Sequence, residues 1–170
     1  MLTFLNDTMI ADIVERVSHQ VDRGDIILCY YKIEQGKDPH DPEAVDLQSE
    51  EFRDWLTTYC EEKIYDLAYE LKARAKPDGL PAYRVITAPE DWVPTGHAGD
   101  YWSWDKDSAA AYCGSFNDDH REWMLEATLK SEDIDWHNTY AVNVTAEDER
   151  ELTVIRGRII TPTSHYRVSE

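Results

Sequence analysis

Apolar residues at Ile10, Ile13, Val14, Val17 and Val21 recur at spacings of three and four. This is the stripe of an amphipathic helix that Asp7 or Thr8 can cap and that ends near Gly24. The run from Ile26 to Ile33 is almost continuously apolar, and periodicity alone does not separate a buried strand from a buried helix there; we take helix. Glu34 to Asp46 turns polar around Gly36, Pro39 and Pro42, which predicts a loop. Ser49 then predicts the cap of the clearest helix, with Glu50 and Glu51 in the first turn where negative charge meets the positive end of the dipole. Phe52, Trp55, Leu56, Tyr59, Cys60, Ile64, Leu67, Ala68 and Leu71 give that helix one broad buried face. Lys72, Arg74 and Lys76 suit its C-terminal end, and Pro77 with Gly79 stops it.

After Pro81 the period changes. Ala82–Thr87, Tyr101–Trp104, Glu122–Leu129, Thr139–Val144, Glu151–Arg156, Arg158–Thr161 and His165–Val168 read as short strands, with a Pro/Gly loop from Ala88 to Ala98. Helices first and strands afterwards predict an α+β fold with antiparallel pairing, and argue against a doubly wound nucleotide fold. The division expected is a helical region, 1–78, packed on or covering a β-rich core, 79–170, within one compact domain. A chain of 170 residues, 42% of them hydrophobic, is large enough to bury such a core.

Charge narrows the partners. There are 35 acidic against 17 basic residues, a formal net charge of -18. Such a surface repels phosphate backbones and anionic lipid and favours basic protein partners, so a protein partner is expected ahead of a nucleic acid. Cys29, Cys60 and Cys113 are widely spaced and form no C-x-x-C pair. No disulfide framework and no metal site are expected, and a reducing cytoplasm is the natural compartment. His40, between Asp38 and Asp41, reads as part of a solvated loop. Met1 to Leu5 is too short an apolar run for a signal peptide and lacks a basic region, and no membrane span is expected. G-x-G-x-x-G, P-loop, H-E-x-x-H and G-x-S-x-G patterns do not occur.

Three constellations carry chemistry. In Gly99-Asp100-Tyr101-Trp102-Ser103-Trp104-Asp105-Lys106-Asp107-Ser108-Ala109-Ala110-Ala111-Tyr112-Cys113, Asp105 can cap a helix running through Ala109 to Tyr112. Tyr101 and Tyr112, separated by ten residues, then stand at the two ends of one strand-turn-helix unit. A helix folding back over its strand would bring the rings to opposite walls of a slot for a flat heterocycle. In Ala82-Tyr83-Arg84-Val85-Ile86, alternation sends Tyr83 and Val85 to one face and Arg84 with Ile86 to the other. A mid-strand arginine is either an edge residue in water or an inward charge that needs a partner. In Glu149-Arg150-Glu151, at the mouth of a strand, the two carboxylates project to the same side; a solvated acidic turn would look the same.

In that order and spacing, the three motifs resemble the ADP-ribosyltransferase superfamily. The tyrosine pair is similar to the nicotinamide-binding segment of the diphtheria-toxin and poly(ADP-ribose) polymerase branch. Tyr83-Arg84, Ser103 and Glu149-x-Glu151 resemble the aromatic-Arg, serine and Glu-x-Glu motifs of the arginine-type branch. The chain departs from the first branch by carrying Arg84 where that branch has histidine. The resemblance implies a core of antiparallel strands in two packed sheets, with NAD as substrate. It implies nicotinamide between Tyr101 and Tyr112, the phosphates and ribose near Tyr83, Arg84 and Ser103, Glu151 as the catalytic glutamate and Glu149 facing the acceptor. It also implies a mono-ADP-ribosyltransferase acting on a macromolecular acceptor, such as a toxin or phage effector with a neutralising partner protein. An NAD glycohydrolase and an inactive binding or immunity protein of the same fold are the alternatives.

Overall fold

The structure, a computed structural model, describes residues 5–20, 24–30, 47–96, 98–112, 120–146 and 149–168. Val21, Tyr31 to Ile33 and the expected loop from Glu34 to Asp46, with His40, lie outside the described residues.

Helix α1, Asp7–Ser18, is capped by Asn6 rather than by Asp7 or Thr8: the Asn6 side chain accepts from the Met9 amide at 2.9 Å. It stops short of Gly24, with His19 as its C-cap. The ambiguous apolar run is helical over its described part, Ile26 to Tyr30, within helix α2, Gly24–Tyr30. Helix α3, Glu50–Arg74, begins at the predicted cap, Ser49 accepting from the Phe52 amide at 3.2 Å, and its apolar stripe buries Phe52, Leu56, Cys60, Ile64 and Leu71.

The strands are β1, Leu80–Pro89; β2, Tyr101–Ser103; β3, His120–Leu129; β4, Glu151–Thr153; and β5, Ser164–Arg167. All five share one antiparallel sheet in the order β4-β2-β1-β3-β5. Among the described residues the strands form this one sheet; the expected second, packed sheet is not shown. Alternation divides its faces. Leu80, Ala82, Trp102, Trp104, Leu125, Ala127, Leu129 and Leu152 are buried on one face, in a cluster that continues through Ile13, Val17, Phe52 and Leu71 of the helical region. One hydrophobic core therefore draws on both segments of the chain. The opposite face carries the short helix α4, Lys106–Ala111, which packs on β1 and β2.

Two expected strands are corrected. Thr139–Val144 lies in helix α5, Trp136–Thr145. Its β-branched content suggests a strand, but Asp135 caps it by accepting from the Asn138 amide at 3.1 Å, and burial at Tyr140 and Val144, four apart, satisfies helical spacing. Arg158–Thr161 is not a strand: the Arg158 amide turns back to the Ile155 carbonyl at 3.0 Å, around Gly157 with φ +86°, and Ile159 is left exposed. Strand β4 is also shorter than the predicted Glu151–Arg156.

Candidate functional site

Cross-strand register sets up the site. Tyr83, Ser103 and Glu151 are direct neighbours across β1, β2 and β4, so their side chains rise from the α4 face in one row. Asp105 caps α4 as predicted, accepting from the Ser108 amide at 2.9 Å, and Tyr112 stands at the helix C-terminus. A cavity of about 180 Å³ lies between helix and sheet, lined by Tyr83, Arg84, Val85, Tyr101, Trp102, Ser103, Ala109, Tyr112, Glu149 and Glu151. All seven residues singled out from the sequence line this one cleft. Tyr101 and Tyr112 are among the few large aromatic side chains left exposed, which suits rings that wait for a flat partner.

Arg84 reaches this space by an indirect route. Alternation starts its side chain on the other face, but β1 and β2 pair only at Tyr83 and Ser103, and the guanidinium enters the gap where the strands part. There Nη1 donates to the Tyr101 carbonyl, and the group lies flat against Gly99. A Cβ on Gly99 would come within 2.5 Å of Arg84 Cζ, and Gly99 holds φ +98°, so both space and backbone demand glycine. Arg84 Nε is shielded from solvent and has no hydrogen-bond partner among the described residues. Burial pulls the guanidinium pKa down, while Asp100, Glu151 and Tyr101 oppose that shift.

The carboxylates are tuned by their surroundings. Burial pushes the Glu151 carboxyl above the usual range; the Thr153 hydroxyl, which donates to Oε1 at 3.1 Å, pulls it back, Glu149 pushes it up and Arg84 pulls it down. The Tyr112 phenol is pushed up to about 12, first by burial and then by Glu149, to which it is hydrogen-bonded. It is therefore a donor at any physiological pH. Ser103 lines the cleft, yet its hydroxyl is committed to structure, donating to the Arg150 carbonyl at 3.0 Å and accepting from the Asp105 amide at 3.1 Å.

Three supporting features were not picked out from the sequence. Arg150, between the two glutamates, has φ +47°, a left-handed conformation costly for a residue with a Cβ. Its guanidinium points away from the cleft to Glu70 at 3.7 Å and Asp105 at 3.5 Å, while Arg74 of α3 pairs with the same two carboxylates. Trp104 Nε1 also donates to Glu70 at 3.1 Å. Helix α3 thus grips the Glu-x-Glu turn from behind. The second feature is Gly99, and the only sequence signal was a glycine just ahead of a strand. The third is Asn143 of α5, hidden by the strand reading, whose carboxamide bonds both main-chain groups of Glu151.

No helix among the described residues is long and apolar enough to cross a membrane. No family model, no curated protein and no solved structure matches this chain.

Proposed function

We propose that this chain is a mono-ADP-ribosyltransferase that cleaves NAD and passes ADP-ribose to a macromolecular acceptor, a protein ahead of a nucleic acid, in the cytoplasm. The observation that carries this reading is the convergence of two exposed tyrosines, one arginine and two glutamates from four separate elements on one cleft. A cavity of about 180 Å³, with Arg84 in its lining, suits a flat ring and the start of a ribose, and the rest of a dinucleotide would lie outside it.

In this mechanism the nicotinamide ring stacks between Tyr101 and Tyr112, and the positive charge of Arg84, which lines the same cleft, favours a phosphate or ribose oxygen beside it. The bond between ribose C1′ and the nicotinamide nitrogen breaks, and its electron pair leaves with neutral nicotinamide. Positive charge builds on the ribose, and the Glu151 carboxylate stabilises it by accepting from the 2′-hydroxyl. The acceptor nucleophile then bonds to C1′, and its proton passes to Glu149. Because Glu151 must be ionised, its raised pKa places the acid limb of activity above that of an ordinary carboxylate.

The test is incubation of the purified protein with NAD labelled in the adenosine part and a cell lysate, following nicotinamide release and macromolecular label together. Release with transfer, both lost in Glu151→Gln, is expected. Release without transfer would replace the proposal by an NAD glycohydrolase, and no release by a binding or immunity protein of this fold.

A further inference from the structure

Strand β4 is an edge strand, paired with β2 on one side only. Edge groups need partners, and a helix supplies them here. The buried carboxamide of Asn143 accepts from the Glu151 amide through Oδ1 at 2.9 Å and donates through Nδ2 to the Glu151 carbonyl at 2.7 Å, with a second Nδ2 bond to the Thr139 carbonyl at 2.6 Å. One turn earlier, Thr139 Oγ1 accepts from the Thr153 amide at 3.0 Å, and the Asp135 amide donates to the Thr153 carbonyl at 2.8 Å. Among the described residues, helix α5 and the segment ahead of it, bridged at Ile134 to Val154, cover this edge of the sheet, and one side chain holds both main-chain groups of the residue whose carboxylate enters the cleft.

We infer that Asn143 is a positioning residue for Glu151: it fixes the main chain of that residue and so aims its carboxylate at the cleft. The catalytic part of this inference rests on the transferase reading; the positioning part does not. The Thr153 amide is held by Thr139 of the same helix and its carbonyl by the Asp135 amide just ahead of that helix, so loss of the Thr139 hydroxyl is the control that frees one group of β4 and leaves the Glu151 main chain held. A misplacement of about 1 Å at a reacting group costs up to about 10²-fold in rate, which sets the scale.

The experiment compares wild type with Asn143→Ala, Asn143→Asp and Thr139→Val, measuring melting temperature, kcat and KM for NAD, and the titration of the Glu151 carboxyl by NMR. Asn143→Ala should lower kcat by roughly 10- to 100-fold with KM nearly unchanged, and should speed hydrogen exchange at the Glu151 amide. Asn143→Asp keeps the acceptor but adds a negative charge, so it should also move the Glu151 titration and the acid limb upward. Thr139→Val should lower the melting temperature, leave hydrogen exchange at the Glu151 amide in place and cost clearly less in kcat than Asn143→Ala, its effect on the Glu151 titration being confined to the bond from the Thr153 hydroxyl. Equal losses in kcat for Asn143→Ala and Thr139→Val, or a Glu151 titration that is the same in all four proteins, would overturn the inference. If wild type releases no nicotinamide, the transferase reading fails by itself, and the Glu151 titration and amide exchange still decide whether Asn143 positions the residue.

Discussion

Arg150 and Glu70 meet at 3.7 Å, joining the turn between the two cleft glutamates to the penultimate turn of α3. This contact makes the helical region part of the site rather than a cover for it. The turn holds its shape at the expense of a left-handed residue, compensated by the ion pairs to Glu70 and Asp105 and by the Trp104 amide and Ser103 hydroxyl on the Arg150 carbonyl. Arg150→Gly removes the backbone strain and the ion pairs together. We expect its stability to stay within about 1 kcal/mol of wild type, because surface ion pairs are worth about 0–1 kcal/mol and relief of the left-handed penalty is of similar size. Turnover should fall by roughly tenfold, since both glutamates lose their fixed mounting. Thermal melting and steady-state kinetics on the one variant check both expectations.

Glu151→Gln separates chemistry from folding. Loss of a preorganised charge-stabilising group costs on the order of 10²–10³ in rate, and that is the expected fall in nicotinamide release. Stability should change in the opposite sense. A carboxyl whose pKa is higher folded than unfolded binds its proton more tightly in the native state, so native stability falls as pH rises from the unfolded value through the folded one. The glutamine variant lacks that loss. It should melt higher than wild type at neutral pH and converge with it below the unfolded carboxylate pKa, as melting curves across that range would record.

Arg84 and Gly99 act as a unit. Gly99→Ala places a methyl carbon inside the guanidinium and demands a strained φ, so a loss of about 1–3 kcal/mol is expected together with displacement of Arg84 from the gap between β1 and β2. Arg84→Met removes the charge together with the Nη1 bond to the Tyr101 carbonyl. Because Arg84 holds the Glu151 carboxyl down, its removal should shift the acid limb of the pH profile upward, measured as kcat/KM against pH.

The two tyrosines should not respond alike to loss of the hydroxyl and loss of the ring. Tyr112→Phe removes only the hydrogen bond to Glu149 and keeps the stacking face, so KM for NAD should change little while the Glu149 carboxyl loses a donor. Tyr112→Ala and Tyr101→Ala remove stacking worth about 1–3 kcal/mol, roughly 5- to 150-fold in affinity. Binding titrations against the Glu151→Gln background, where NAD survives, measure these differences directly.

The sequence was legible where local chemistry and tertiary context agree. Ser49 and Asp105 cap the helices expected of them because a short polar side chain ahead of a helix has little else to do. The tyrosine pair and Glu149-x-Glu151 were readable because each motif is local and needs only one strand or turn to aim it. Thr139–Val144 misled because β-branched residues suit either state once buried, and only contact with α1, α3 and β4 decides in favour of helix. That error hid Asn143, whose task depends on a strand edge eight residues away. Nor could alternation place Arg84: the gap that admits its guanidinium comes from the early parting of β1 and β2 and from Gly99, a non-local arrangement with no period to reveal it.

The central claim is that Tyr101 and Tyr112 form the two walls of a nicotinamide slot beside Glu151. NMR of the Glu151→Gln protein during titration with NAD tests it most directly. The account predicts saturable upfield ring-current shifts of the nicotinamide protons and matching perturbation of both tyrosine rings, abolished when both are alanine. Saturable shifts that survive the double alanine variant, or no shift at any NAD concentration, would contradict it.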